Sequence, residues 1–464
     1  MNIAHALRLD SPTASNQIIS LVGAGGKSTT LFKLARQLRN PSGTISLIIT
    51  ATTHLGVWQI PLADHHIIVK DLNDLKNIQR EGITLITGEL DRDRTKPVSE
   101  SIINYLRSYS KEHNLPLLIE ADGSRQKSLK APASHEPAIP EVTETVIVVA
   151  GMSAIGKPLT DEHVHRAKIF SQLSGLQIGE TITSQAIISM LTHPQGGLKN
   201  IPPLARRVVL LNQTDTPELR SIAGGMTRQL LDHFHSVVVG SFEQNIFHTF
   251  EHTAAIILAA GEATRFGSAK QLLDWKGKPF VRHIAETALH SGLWPVVVVT
   301  GFCAPEVESC LKDLPVDIVH NPAYQQGQST SIKAGINYLE TSRKGESDDT
   351  SVGSGGGQAG AAIFLLADQP QIPSEVIRAL TESHTRGLHP IIAPLVLEER
   401  RANPVLFDQV TFPDLLQLTG DIGGRAIFSK YKVEYITWHD DILLLDVDKP
   451  EDYQRLVENE KLKR

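Results

Sequence analysis

The sequence predicts an α/β protein of two domains, each built on a mostly parallel sheet. Three observations carry this expectation. At 464 residues the chain is too long for one hydrophobic core. Short apolar runs alternate with amphipathic helical patterns from end to end, as parallel strands covered by helices require. Each half also opens with a strand running into a glycine-rich loop, "ISLVGAGGKSTT" in the first and "AAIILAAGEATRFGSAKQLL" in the second.

Element by element, the first half reads as strands at "NQIISLVG", "ISLIITATT", "ITLITGE", "PLLIEADG", "ETVIVVAG", "RRVVLLNQ" and "SVVVGSF". Amphipathic helices are expected between them, as at "TTLFKLARQLRN" and "SIINYLRSYSKEH". The second half gives strands at "AAIILAAG", "PVVVVTG", "VDIVHN", "AAIFLLAD", "PIIAPLVL" and "ILLLDVD". The boundary falls in "SFEQNIFHTFEHT", dividing the chain into residues 1–250 and 251–464. The Gly/Ser-rich stretch 342–360 cannot bury enough surface to order itself and reads as a flexible insertion.

Composition narrows the function classes. Hydrophobic content of 41% and charged content of 21% are ordinary for a globular protein. A formal net charge of −6 argues against a nucleic-acid partner, which calls for a basic face. The two cysteines, Cys303 and Cys310, form no metal-type pair and fit a reducing cytoplasm. The N-terminus lacks a signal-peptide pattern, and no apolar run approaches the ~18 residues that span a bilayer. The expectation is a soluble cytoplasmic protein with no membrane association.

In the first loop, the run of backbone amides from Gly23 through Ala24, Gly25 and Gly26 to Lys27 is placed to cradle phosphate, with Lys27 reaching a terminal phosphoryl oxygen and Ser28 ligating Mg²⁺. The pattern GxxxxGK[ST] is incomplete, because Leu21 stands where its first glycine belongs. "LLIEADGS" brings Glu120 and Asp122 to a strand end, where a second metal contact is expected. Asn212 and Asp215 are spaced as in a guanine-reading loop but with Gln213 in place of lysine; ordinary Asn/Asp turn chemistry explains them equally well. "GMSAIGKPL" satisfies G-x4-GK at Gly151–Lys157, yet Pro158 removes a hydroxyl and an amide there. "SRQKSLKAP", with Arg125, Lys127 and Lys130, is either an anion contact or a solvated basic loop. His163 and His165 point apart on a helix, which leaves His165 and Arg166 as a phosphate or pterin contact.

The second loop carries the stronger chemistry. In open parallel sheets ligands lie beyond the carboxyl ends of the strands. Gly261 and Gly267 there allow close approach to a triphosphate, and Arg265 and Lys270 neutralise its charge. "IFLLADQP" ends in Asp368, and "LLLDVDKPEDY" in Asp446 and Asp448. Acids at apolar strand ends call for a compensating charge, and Mg²⁺ on a nucleotide is the usual partner. Asp448 is also a good N-cap for the helix that "KPEDY" opens. Ser329, Thr330 and Ser331 start a helix in "QGQSTSIKAG", either as an anion site for the acceptor or as a serine-rich cap.

These second-half stretches resemble the MobA-like nucleotidyltransferases, closest to the molybdenum cofactor cytidylyltransferases: "LAAGEATRFGSAKQLL", "NPAYQQGQSTSIKAGI", "LLADQP", "NPVLFD", "GDIGGRA" and "DVDKPEDY" follow in family order. Glu262-Ala263 and Phe266 depart from the family signature without touching a charged contact. The resemblance implies a Rossmann-like (GT-A-like) domain that transfers CMP from CTP to Mo-molybdopterin with release of pyrophosphate. It places the base near Ala259, Ala260 and Gly261, Mg²⁺ on Asp368 and Asp448, and the pterin near Asp421 and Arg425, which pair with each other in the alternative reading. The first half, through "GAGGKSTT", "TATTH", "IEADGSRQKSLKAPASHEPAIP" and "IGKPLTDEHVHRAK", resembles the YqeC family of accessory proteins for selenium-dependent molybdenum hydroxylases. That resemblance implies a place in molybdenum hydroxylase maturation with an apo molybdenum hydroxylase as partner, while the glycine loop itself predicts a P-loop-like NTPase domain. Guanylyl transfer, cytidylyl transfer to a sugar or polyol phosphate, and a nucleotide-gated cofactor carrier remain as other readings.

Overall fold

The computed structural model describes residues 1–10, 16–38, 46–262, 269–343, 358–397 and 399–462. It divides into two compact units, Met1–Phe250 and Glu251–Arg464. Of the Gly/Ser stretch, residues 344–357 lie outside the described residues, and Ala359 and Gly360 already belong to a strand.

The N-terminal unit holds strands β1 (Ile18–Gly23), β2 (Ser46–Ala51), β3 (His65–Ile68), β4 (Gly82–Thr87), β5 (Leu117–Glu120), β6 (Thr145–Gly151), β7 (Arg206–Asn212), β8 (Ser236–Ser241) and β9 (Ile246–Phe250). They form one nine-stranded sheet in the order β9-β8-β7-β6-β1-β5-β2-β4-β3. Only the β8–β9 pairing is antiparallel. Because successive strand residues face opposite sides, β6 sends Val146, Val148 and Ala150 into one core and Ile147 and Val149 into another. The first is closed by Phe170, Ile187 and Leu230, the second by Leu31 and Leu34 of the helix Lys27–Ala35. Burial on both faces explains why these strands read as unbroken apolar runs.

The C-terminal unit has β10 (His252–Ala259), β11 (Val296–Thr300), β12 (Asp317–His320), β13 (Ala359–Leu366), β14 (Ile391–Val396), β15 (Arg400–Arg401), β16 (Val405–Asp408) and β17 (Val433–Trp438). Their order is β12-β11-β10-β13-β16-β14-β15, with β17 on β14. β10, β11, β12 and β13 are parallel neighbours, whereas β16 runs antiparallel to β13 and β14. Here too β10 alternates, Ala255 and Ile257 facing one core and Ala254 and Ile256 the other.

One sequence expectation changes. "ILLLDVD" is no strand: Asp440 accepts the Ile442 amide at 2.9 Å and caps a 3-10 turn, Asp441–Leu444. A local side-chain bond has replaced a ladder. Ile246–Phe250 closes the first sheet, and β10 begins at His252. Among the described residues, no helix is long and apolar enough to cross a membrane.

Candidate functional site

Each unit has a cleft at the carboxyl ends of its central parallel strands. In the C-terminal unit the cleft measures about 1030 Å³ and is lined by Ala259, Ala260, Gly261, Lys270, Asp368, Asp421 and Asp448, among others. β10 supplies the first wall, and Asp368 stands two residues beyond β13. Lys270 opens a 3-10 turn held by the buried Gln271, whose Nε2 donates to the carbonyls of Ala259 at 3.4 Å and Phe302 at 3.3 Å.

Lys270 Nζ lies 2.6 Å from Asp448 Oδ1 and 3.8 Å from Asp368 Oδ2, so two carboxylates converge on one cation. Burial holds the Asp368 carboxyl well above the usual range, at about 6; Lys270 opposes this, and Asp446 and Asp448 add to it. Asp446 is likewise raised, first by burial, and accepts from Gln369 Nε2. Asp448 turns its Oδ1 toward Lys270, while Asp452 Oδ2 accepts the amides of Asp448 and Lys449 at 3.2 and 3.0 Å. The cap-like bonds at the head of Pro450–Leu462 thus come from Asp452. Arg265 and Gly267 lie outside the described residues.

The expected acceptor residues separate. Ser331 and Asp421 line the cleft. Ser329 Oγ donates to the Gly420 carbonyl at 2.7 Å, and Thr330 Oγ1 to Ala323 and Gly327 carbonyls, which ties the start of Gln328–Arg343 to neighbouring loops. Asp421 Oδ1 accepts the Gln328 amide at 3.2 Å, whereas Arg425 donates to Asn403 Oδ1 at 3.1 Å. Asp421 and Arg425 therefore take different partners. Sequence reasoning passed over Glu262, which accepts from Gln325 Nε2 at 2.7 Å; both line the cleft.

The N-terminal cleft, about 1070 Å³, is lined by Gly25, Gly26, Lys27, Ser28, Glu120 and Asp122 among others. Gly23, Gly25 and Gly26 all have positive φ. A Cβ on Gly25 would meet the Gly151 backbone nitrogen at 2.3 Å, and one on Gly26 the Asn212 amide nitrogen at 2.3 Å. Three expected cradle amides are already engaged: Gly23 N donates to Asp122 Oδ2 at 3.0 Å, Ala24 N to Val149 O at 2.8 Å, and Gly25 N to Lys127 O at 3.0 Å. The first intrahelical bond runs from Thr30 N to Gly26 O, so the amides of Lys27, Ser28 and Thr29 form the open first turn.

Lys27 is buried, its Nζ 2.7 Å from the Gly23 carbonyl and 3.0 Å from Asp122 Oδ1. Lys130, expected in a solvated or anion-binding loop, is buried between Asp122 at 2.9 Å and Glu136 at 2.7 Å. Glu136 in turn takes a two-point contact from Arg166 at 2.6 and 3.0 Å. Burial works against ionising Glu136, but the Arg166 and Lys130 contacts win and bring its carboxyl down to about 2. Ser28 Oγ donates to Glu120 Oε2 at 3.3 Å, and burial pushes the Glu120 carboxyl up. Asp122, Lys130 and Glu136 are near one another in sequence, but the network that joins them to Lys27 and Arg166 exists only in the fold.

Asn212 and Asp215 do not converge on the cleft. Asn212 is buried and donates its amide to the Gly25 carbonyl at 2.7 Å, while Asp215 accepts from Ser241 Oγ at 2.5 Å. Gly151 of the second G-x4-GK stretch packs behind Gly25. His165 lines the cleft, and burial together with Arg166, Lys130 and Arg125 lowers its pKa to about 4.

Comparison with known proteins follows the same division. Residues 19–168 match the family model described as YqeC protein, and residues 255–435 match the MobA-like NTP transferase domain. The protein YqeC of Escherichia coli (strain K12) is 33% identical over 200 residues, which cover 42% of this chain and 75% of that protein. The nicotine blue oxidoreductase of Paenarthrobacter nicotinovorans is 29% identical over 212 residues, covering 44% of this chain and 95% of the relative. The molybdenum cofactor cytidylyltransferase of Escherichia coli (strain K12) is 23% identical over 212 residues, covering 43% and 92%. With glycine loop, buried lysine and strand-end acids in place, the chain belongs to the YqeC family and carries a MobA-like NTP transferase domain in its C-terminal unit.

Proposed function

We propose that the C-terminal unit transfers CMP from CTP to the terminal phosphate of molybdopterin. The convergence of Lys270, Asp368 and Asp448 on a cleft walled by Ala259–Gly261 carries this reading. A phosphate oxygen of the acceptor attacks the α-phosphorus, the bond to the β-phosphate oxygen breaks, and pyrophosphate leaves. A phosphate monoester is largely ionised at neutral pH, so positioning and charge neutralisation are what the protein must provide. Lys270, joined by Arg265, neutralises the leaving pyrophosphate. Asp368 and Asp448 would hold Mg²⁺, which binds through one or two carboxylates plus substrate phosphates. Their fit to a cation is visible in their shared approach to Lys270. Bound there, the ion supplies Lewis-acid polarisation of the phosphoryl group. Ser331 and Asp421 orient the acceptor, and Ser329 and Thr330 hold the helix start that carries Ser331.

For the N-terminal unit we infer a P-loop-like nucleotide site at Gly26–Ser28, with Ser28 and Glu120 on the metal side. Lys27 leaves Asp122 for a phosphoryl oxygen, and Lys130 stays to neutralise Asp122. The ion-pair chain from Lys27 to Arg166, just before the helix Ala167–Ser174, favours a second reading of this unit as a nucleotide-gated carrier for an apo molybdenum hydroxylase. That reading requires stoichiometric rather than catalytic nucleotide use.

The deciding assay incubates the purified chain with Mg²⁺, molybdopterin and each of the four NTPs, and follows pyrophosphate and dinucleotide. CTP-dependent product that Asp368→Ala abolishes and Lys27→Ala retains supports the assignment. Product only with GTP, or only with a sugar or polyol phosphate as acceptor, replaces it with the corresponding transferase.

A further inference from the structure

The N-terminal cleft has a second end, and it is aromatic. Trp58 lines it and is 55% exposed. Single exposed apolar side chains are common on protein surfaces, but this one stands in a built loop. The Thr95 amide donates to the Leu55 carbonyl at 2.8 Å, the Val57 amide to the Asp93 carbonyl at 2.9 Å, and Gly56 bridges Arg94. His54 Nδ1 lies 3.0 Å from the Thr95 carbonyl oxygen. The indole packs on Gly56 so closely that a Cβ there would meet Trp58 Nε1 at 2.4 Å. The ring therefore rests against the backbone of Gly56, which lines the same cleft.

Beside it, Gln59 is only 5% exposed and lines the same cleft, and its Oε1 has no hydrogen-bond partner among the described residues. An unsatisfied buried carbonyl is costly, and a ligand N–H relieves that cost. Sheet order gives the spacing. The phosphate loop follows β1 and the Trp58 loop follows β2, with β5 between them. Two inter-strand steps amount to roughly 10 Å, comparable to the reach of a nucleotide from its outer phosphate to its base. Arg94 and Arg125 line the same cleft.

We propose that Trp58 and Gln59 form a ring subsite that takes a planar heteroaromatic with an N–H edge: the ring stacks on Trp58 and its edge pairs with the Gln59 amide. The geometry of the phosphate end rests on the nucleotide reading above; the ring end does not. The ring is either the base of the nucleotide held by Lys27 or part of a separate ligand.

Trp58 is the sole tryptophan of residues 1–250, so subtracting the fluorescence of Trp58→Phe from that of the full-length protein isolates it. The probes are ATP, GTP, CTP, UTP, tripolyphosphate and a phosphate-free pterin. Quenching by a triphosphate that Lys27→Ala removes assigns the ring as a base. Quenching by the pterin that persists in Lys27→Ala assigns a separate ligand. In either case Trp58→Ala should weaken the ring-bearing probe about tenfold, leave tripolyphosphate unchanged, and be partly rescued in Trp58→Phe. Failure of tripolyphosphate to bind removes the phosphate-loop reading alone, and the pterin arm then decides the subsite. If no ring-bearing probe moves the Trp58 signal and Trp58→Ala changes no affinity, the subsite is wrong.

Discussion

Lys270 and Asp448 are 178 residues apart in sequence and 2.6 Å apart in space. Asp368 reaches the same ammonium at 3.8 Å from another loop. Three chain segments therefore meet at this one ammonium in the C-terminal cleft. Lys270→Ala and Asp368→Asn should each lower nucleotidyl transfer by roughly 10²–10³-fold, as loss of a phosphate-clamping group does, with little change in melting temperature. Steady-state pyrophosphate release checks this, and wild-type rates in either variant would refute the assignment.

Replacing Gly25 with alanine should be among the most damaging changes in the N-terminal unit. Its φ is +84, and the new Cβ would lie 2.3 Å from Gly151 N and 2.4 Å from Gly151 Cα. Backbone cannot swing away as a side chain can, so a loss of about 3 kcal/mol or more is expected. Gly26→Ala meets the Asn212 side chain instead and should cost less. Urea unfolding of the two variants gives the ranking directly.

Asn212→Ala removes the bond to the Gly25 carbonyl at 2.7 Å. The expected result is a stability loss of about 1–2 kcal/mol and weaker binding of every nucleotide by a similar factor. A change of base preference would instead mean that Asn212 reads a base. Competition titrations with the four NTPs separate these results.

The N-terminal unit should be sensitive to acid in two windows. His165 has its pKa lowered from 6.5 to about 4, so the folded state binds the proton less readily than the unfolded chain. Its share of stability is complete above pH 6.5 and fades as pH falls toward 4. Glu136 is lowered from 4.5 to about 2, so its contribution is complete above 4.5 and disappears as pH falls through 2. Glu136→Gln should destabilise by roughly 2–3 kcal/mol at pH 7, with a difference from wild type that shrinks below pH 4.5. Thermal melts across pH 3–8 test the sign, and His165→Gln should flatten the upper window alone.

Much of this was readable beforehand because fully buried parallel strands leave a plain trace. Runs such as Val296–Thr300 and Thr145–Gly151 are apolar on both faces, and glycines or acids follow where the chain turns into a cleft. The same logic failed at "ILLLDVD", where an unbroken apolar run met a capping Asp440 and became a 3-10 turn. It also missed β3 and β17, whose half-exposed residues lack that density. In the sites, residue types were legible but partners were not. Lys130 read as a surface cation because Asp122 and Glu136, which enclose it, come together only when β5 and its neighbouring loops fold. Asn212 read equally as a base contact or a turn residue, since its bond to Gly25 spans 187 residues and leaves no local trace.

Among the described residues, the lining of one cleft runs from Gly25 to Gln213 and that of the other from Leu258 to Asp448. A cell that makes this chain therefore holds the two clefts in strict one-to-one ratio, and neither can be scarce while the other is plentiful.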